Sequence, residues 1–348
     1  MARKGAPKVY DVTFVGAGPV GLFGAFYAGL RELTCKVIDA LPQPGGQLIT
    51  LYPEKMVYDV PGFPAVKAKD LVANLYEQAK RWDTAWAFGQ RALNLERKTV
   101  GRGDQKEECW VIGTDSAEHY SRTVVIAAGI GAFRPVKLDN DSVIRFEGRG
   151  VDYMVADYDD FAGKRVLIVG GGDSAVDWAL GLLPVAKNVT LIHRREGFRA
   201  HDSSVEALQS SDVDVRIFHE LREVSGDSRV ENAVIFDNRN GEESELDIDA
   251  LILALGFKAD LGPIREWDIE TIGRRYLKVD SRMETSMPGV YAAGDVALQE
   301  DLDPLNLIVV GFGQVTVAVN YAYAHVKPGG KVFPGHSSEK VDASPQAA

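Results

Sequence analysis

The sequence predicts an α/β fold made of two parallel-sheet lobes, the second inserted in the first. Three observations carry this. Two segments 154 positions apart repeat one pattern: Val12-Thr-Phe-Val-Gly16-Ala-Gly18-Pro-Val-Gly21 and Val166-Leu-Ile-Val-Gly170-Gly-Gly172-Asp-Ser-Ala175. Each runs from an apolar, β-branched stretch through a glycine turn into a helical pattern. A second pair, Thr123-Val-Val-Ile-Ala-Ala-Gly129 and Ala250-Leu-Ile-Leu-Ala-Leu-Gly256, brackets the later repeat. The length, 348 residues, suits two domains at roughly 150 residues each.

The elements follow in order. An uninterrupted apolar run feeding a glycine turn reads as a central parallel strand buried on both faces. The first such strand ends at Gly16. A helix over 19–31 follows, in which Gly21, Gly24, Ala25 and Ala28 are small enough to let it lie close on the sheet. The next strand is Cys35-Lys-Val-Ile-Asp39. In the inserted lobe the helix covers 174–183 and the next strand is Asn188-Val-Thr-Leu-Ile-His193. The chain returns to the first lobe with a strand in Gly289-Val-Tyr-Ala-Ala-Gly-Asp295 and a helix over 312–326, opened by Gly311-Phe-Gly-Gln314. The expected domains are 1–131 with 258–348, and 132–257.

Composition excludes several classes. Apolar residues at 45% and charged residues at 26% are those of a packed globular protein rather than a disordered one. A net charge of −11 argues against a general nucleic-acid binder, which needs basic surface to displace counterions. No secretory signal and no apolar run long enough for a membrane span are visible, so a cytoplasmic location is expected. The two cysteines, Cys35 and Cys109, are 74 positions apart. They form no disulfide framework and no cysteine zinc site, and no metal is expected.

The chemistry is in the glycine turns. In G-x-G-x-x-G, Gly16 permits the tight turn, Gly18 lets the backbone approach a pyrophosphate, and Gly21 allows helix and strand to pack closely. The phosphates sit on the free N–H groups of the helix N-terminus. Asp39, 23 residues after Gly16, ends the next strand, where a carboxylate accepts hydrogen bonds from ribose hydroxyls. The second turn reads G-x-G-x-x-A at Gly170, Gly172 and Ala175, with Asp173 and Ser174 between. Its second strand ends at His193, again 23 residues on, and Arg194, Arg195 and Arg199 follow in place of an acid. An acid there would repel a 2′-phosphate, whereas arginines bind it with charge-assisted bonds. This lobe therefore reads as the NADP(H) site, with His193 packing beside the adenosine. Two Rossmann-like dinucleotide-binding domains in one chain suggest a flavin in the first and a pyridine nucleotide in the second. Asp295, at the end of its strand, is placed to hydrogen-bond the flavin ribityl chain.

The ordered set Gly16-x-Gly18-x-x-Gly21, Pro44-Gly-Gly46-Gln47-Leu, Gly170-Gly-Gly-Asp-Ser-Ala175, His193-Arg-Arg195 and Ala293-Gly-Asp295 resembles the low-molecular-weight thioredoxin reductase family. Thioredoxin reductases carry a C-x-x-C just before the second glycine motif. Here that stretch is Val151-Asp-Tyr-Met-Val-Ala-Asp-Tyr-Asp-Asp-Phe-Ala-Gly163, without cysteine, so electrons cannot leave a flavin by disulfide exchange. Further segments resemble the thioredoxin-reductase-type ferredoxin–NADP⁺ reductases of bacteria. These are Gly45-Gly-Gln-Leu-Ile-Thr-Leu-Tyr52-Pro-Glu-Lys, Tyr58-Asp-Val-Pro-Gly-Phe-Pro64, His193-Arg-Arg-Glu-Gly-Phe-Arg-Ala-His201 and His336-Ser-Ser338.

The resemblance implies a thioredoxin reductase-like fold, non-covalent FAD, NADP(H), a homodimer, and ferredoxin as electron-transfer partner. It implies roles as well. Asp39 holds the FAD ribose, where family members often have Glu. Gln47 binds FAD, Tyr52 stacks on the isoalloxazine, Ala92 meets the adenine by its backbone, and Phe133, Asp295 and Ser338 complete the set. The C-terminal extension crosses to the other subunit, and His336 covers the opposite flavin face from Tyr52. No side chain acts as acid, base or nucleophile. A diaphorase passing electrons to flavodoxin, a quinone or oxygen, a thioredoxin reductase, and a nucleotide-binding regulatory protein without turnover are the alternative readings. Ferredoxins are usually acidic, so an acidic chain would need a local basic surface to receive one. Arg3, Lys4, Lys8, Lys327 and Lys331 are the candidates for it.

Overall fold

The computed structural model describes residues 7–101 and 106–336, with the backbone alone at 132–134 and 258–259. The chain forms two compact units. One takes in residues up to 49, 56–132 and those from 259 on; the other takes in 50–55 and 133–258. The chain crosses between them in the strands Ala132–Pro135 and Phe257–Asp260, which pair with each other.

In the first unit the strand Val9–Val15 lies between Cys35–Asp39 and Glu118–Ile126, parallel to both. Thr84–Phe88 extends the parallel set beyond Cys35–Asp39, and Val290–Ala292 adds to it on Glu118–Ile126. This central place explains the apolar run: Val12 and Phe14 are fully buried. The helix Pro19–Leu30 follows the glycine turn. Its small residues do what the sequence suggests. A Cβ on Gly24 would lie 2.4 Å from the Phe14 ring and 2.7 Å from Val315, and one on Gly29 would lie 2.1 Å from the Trp82 ring. Three antiparallel strands, Ala92–Val100, Glu107–Thr114 and the first part of Glu118–Ile126, complete the sheet. The polar, irregular pattern of the first of these gives little sequence signal.

The last helix spans Ile308–Val326 and so begins four residues before the expected start. Leu307 is its extended N-cap, and Gly311 lies within the first turn rather than before it. The β-branched Ile308-Val-Val run masks this start in the sequence. Gly311 serves packing there, since a Cβ would stand 2.4 Å from Val20.

The second unit has five parallel strands in the order Val151–Asp152, Ala250–Ala254, Arg165–Gly170, Asn188–His193, Asp214–Ile217. Alternate residues of the central strand serve opposite faces. Ile168 packs in a cluster with Trp178 and Ala179, and Leu167 in a cluster with Phe146 and Ile235. An antiparallel sheet of His219–Ser225, Asn232–Asp237 and Glu243–Asp247 covers the latter face. No helix among the described residues is long and apolar enough to cross a membrane.

One ion pair ties the ends of two neighbouring strands of this unit. The Arg165 backbone N–H donates to Asp249 Oδ2 at 2.8 Å, its Nε to the same oxygen at 3.0 Å, and its terminal nitrogen to Oδ1 at 2.8 Å. These donors hold the Asp249 carboxyl down at about 2. The folded value lies below the unfolded one, so the pair stabilises the fold above the ordinary carboxylate value and ceases to do so as the pH falls through about 2. In thermal unfolding at neutral pH, Asp249→Asn is expected to melt below the wild type. That gap should close as the pH falls from 3.8 towards 2.

Candidate dinucleotide-binding sites

The two glycine turns share a geometry that their spacing alone does not reveal. In the first, Gly16 has φ +116°, a conformation open to glycine, and a Cβ there would stand 2.3 Å from the Ala127 carbonyl oxygen. A Cβ on Gly21 would stand 1.9 Å from the Gly16 carbonyl oxygen. In the second, a Cβ on Gly170 would meet the Ala254 carbonyl oxygen at 2.5 Å, and one on Gly171 would meet the His193 ring at 2.2 Å. The protein's own packing requires these glycines.

Gly18 and Gly172 differ. Each is the N-cap of its helix, with φ −69° and −100°, values any residue adopts. A Cβ on either would meet no described atom within 4 Å. Neither backbone nor packing asks for glycine there. Both positions sit at a helix N-terminus whose cap side chain is absent, leaving first-turn N–H groups free for an anion. The space a side chain would fill at each is the space in which a pyrophosphate lies against the backbone.

Around the first turn, Asp39 Oδ2 accepts the Ala17 N–H at 2.5 Å and Oδ1 accepts the Leu41 N–H at 2.7 Å. Burial pushes its carboxyl up, and those two N–H groups oppose the rise. Each carboxylate oxygen keeps lone pairs for ribose hydroxyls. The Gln90 N–H donates to the Asp39 carbonyl at 2.9 Å and the Gly89 N–H to Leu41 at 2.8 Å, which brings buried Ala92 to the same end of the sheet. Gly46, at φ +55°, would place a Cβ 3.1 Å from the Gly18 Cα. Gln47 opens the helix Gln47–Leu51 and sets its Nε2 3.5 Å from Asp295 Oδ2. Burial raises the Asp295 carboxyl, opposed by Gln47. The Gly294 N–H donates to Gln314 Oε1 at 2.8 Å, joining the strand end to the last helix; the sequence assigned no such role to Gln314. Gly16, Gly18, Gly21, Asp39, Gly46, Gln47, Ala92 and Asp295 thus all belong to the first unit. Phe133 lies on Ala132–Pro135 with its side chain outside the description, and Ser338 lies outside the described residues.

Around the second turn, a Cβ on Gly170 would stand 3.0 Å from that of Ala175, and Asp173 Oδ1 accepts the His201 N–H at 3.0 Å. The Arg199 N–H donates to the Gly171 carbonyl at 2.7 Å, so its Cα is fixed beside the turn. Arg194, Arg195 and Arg199 are exposed. His193 is not: its ring stacks on Phe198 at 5.0 Å and its Nε2 lies 3.1 Å from the Gly197 carbonyl oxygen. Burial, with Arg194 and Arg195 adding to it, holds the imidazole below its ordinary value. Asn238 Nδ2 donates to the Arg194 carbonyl at 3.0 Å, a pin from the antiparallel sheet that no sequence pattern marks. Tyr52, in the segment 50–55 that groups with the second unit, lines a small cavity with Tyr158, Ser174, Asp177 and Trp178. In the same segment Lys55 Nζ lies 2.7 Å from Asp177. His336 is exposed and meets the Phe333 ring edge-on at 5.8 Å.

Both cysteines are free and buried, Cys35 on Cys35–Asp39 and Cys109 on Glu107–Thr114. Burial raises both thiols.

Two parallel-sheet units, each with a glycine turn open at the helix N-terminus, define a two-lobe dinucleotide-binding α/β protein. The chain belongs to the pyridine nucleotide-disulphide oxidoreductase family, which it matches over residues 10–322. It is 50% identical to a protein of Symbiobacterium thermophilum named ferredoxin–NADP reductase, over 97% of this chain and 98% of that one. It is 48% identical to a protein of the same name from Thermus thermophilus, over 95% and 97%. Among solved structures it resembles thioredoxin reductase of Lactococcus lactis, with a TM-score of 0.71 and 26% identity over 91% of this chain and 99% of that one.

Proposed function

We propose that the chain is an FAD-dependent ferredoxin–NADP⁺ reductase, moving electrons between NADP(H) and ferredoxin. The observation that carries this is the pair of glycines, Gly18 and Gly172, one per unit, that no contact among the described residues requires. It is joined by the names of relatives near 50% identity over almost the whole length. FAD supplies the conversion between two-electron hydride transfer and one-electron transfer to an iron–sulfur carrier. The protein's part is to bind and orient.

In the first unit Gly16, Gly18 and Gly21 seat the FAD pyrophosphate, Asp39 takes the ribose, Ala92 borders the adenine, and Gln47, Gly46 and Asp295 hold the ribityl side. Phe133 and Ser338 join them. Tyr52 flanks the isoalloxazine, and His336 of the partner subunit in a homodimer covers the other face. In the second unit Gly170, Gly172 and Ala175 seat the NADP(H) pyrophosphate. Asp173 ties the turn to residue 201, Ser174 stands on the helix's first turn, and His193 packs under the adenosine. Arg194, Arg195 and Arg199 take the 2′-phosphate. No side chain is needed as acid, base or nucleophile, and two buried, separated thiols offer no route through a disulfide. A cytoplasmic location fits this chemistry.

The test is stopped-flow mixing. Anaerobic NADPH is expected to bleach the yellow band of the purified protein, and reduced ferredoxin is expected to appear when oxidised ferredoxin is added next. Bleaching followed by transfer to quinone or flavodoxin but not ferredoxin would sink the partner assignment. Failure to bleach would leave a nucleotide-binding protein without turnover.

A further inference from the structure

We propose that His119 is a positioning residue for the adenosine half of the FAD site, acting through Gln90. The inference rests on the reading that Asp39 and Ala92 flank that half. Lys36 Nζ lies 3.0 Å from His119 Nδ1, and His119 Nε2 lies 2.8 Å from Gln90 Oε1. Lysine ammonium has donors and no acceptor. Nδ1 must therefore accept, which makes the neutral imidazole a donor at Nε2, and Gln90 must turn its oxygen to it.

The network joins the two segments that border the proposed adenosine seat. Lys36 stands on Cys35–Asp39, three residues before Asp39. Gln90 stands two residues before Ala92, and its own N–H is bonded to the Asp39 carbonyl at 2.9 Å. Thr114, on the neighbouring antiparallel strand, brings its Oγ1 to 3.1 Å from the same Gln90 oxygen. His119 is buried at 6% exposure, and both its ring nitrogens are used within this network. Removing the imidazole takes the acceptor from a half-buried ammonium and one of two hydrogen-bond neighbours from the Gln90 oxygen, so that the side-chain link from Lys36 to Gln90 is lost while the backbone bonds of residues 89–92 remain. None of these four residues belongs to the glycine motif or to the carboxylate that follows it. Burial, with Lys36 second, holds the imidazole at about 4, which keeps it neutral in neutral solution.

The experiment measures FAD release on dilution of the holoprotein, read by the fluorescence of free flavin. The wild type is compared with His119→Phe, His119→Gln and Lys36→Met. Glutamine keeps one acceptor and one donor; phenylalanine keeps the ring and neither. His119→Phe is expected to raise the FAD dissociation constant by about 10- to 100-fold, and Lys36→Met by less. His119→Gln should stay close to wild type. NADPH binding in the same preparations should be unchanged, which general damage to the fold would not allow. Wild-type FAD affinity in His119→Phe, or a loss in His119→Gln as large as in His119→Phe, overturns the proposal. Should His119→Phe fail to fold, Lys36→Met decides: weakened FAD supports the tie, unchanged FAD overturns it. A wild type that holds no FAD at all would instead overturn the reading of the first unit.

Discussion

Replacing Arg194 and Arg195 together with alanine is expected to lower kcat/KM for NADPH by about 100- to 1,000-fold and to leave kcat/KM for NADH within about threefold. Each guanidinium can place two N–H donors on one phosphate, and charge-assisted bonds of this kind are about twice as strong as neutral ones. NADH lacks the 2′-phosphate and has nothing to lose. The positions are fixed from outside the loop, since Asn238 holds the Arg194 carbonyl and the Arg199 N–H is bonded to the Gly171 carbonyl. Paired lysines would keep the charge without the planar fork and are expected to recover only part of the preference. Steady-state kinetics with both nucleotides checks this. A double-alanine variant that still discriminates as the wild type does would place the 2′-phosphate site elsewhere.

The second large effect separates two glycines of one motif. Gly18→Val is expected to give a folded, colourless protein whose FAD affinity has fallen by more than about 100-fold. Its extended φ and empty surroundings accept a side chain, while that side chain fills the phosphate's place. Gly21→Val is expected to fail earlier, as insoluble or unfolded protein, because its Cβ would stand 1.9 Å from the Gly16 carbonyl oxygen and overpack the helix on the strand. Circular dichroism reports the fold and the flavin band reports the cofactor. If Gly18→Val stays yellow, the open side of the turn is not where the phosphate sits. If it unfolds, the position has a packing role that the structure does not show.

The glycine turns and their flanking parallel strands were legible in the sequence because continuous apolar runs between a turn and a helix leave few other solutions. Val166-Leu-Ile-Val is such a run, and the structure uses both of its faces. The antiparallel strands were not legible. Ala92–Val100 and His219–Ser225 mix charged and apolar residues without a clean period of two, since each buries only part of one face. The sequence puts the start of the last helix too late because Ile308-Val-Val reads as extended chain, whereas in the fold it opens a helix whose Gly311 leaves no room for a Cβ beside Val20. Within the candidate sites, motif spacing names Gly16, Asp39, Gly170 and Arg194, but it names no residue that holds them. Asn238, Gln314 and His119 come to their places from other strands and helices, 44, 20 and 29 residues from their partners, and only the folded chain brings them there.

The seclusion of Cys35 and Cys109 has a consequence for how such a protein would age in a cell. Enzymes that relay electrons through an exposed sulfur pair are stopped by alkylating drugs, heavy metals and peroxide, since the attacking species is a thiolate. Here both sulfurs are shut inside strands and held protonated, so neither offers a thiolate to iodoacetamide or peroxide while the fold is intact. A route for reducing power that needs no exposed sulfur pair stands, in that one respect, out of reach of thiol-directed poisons.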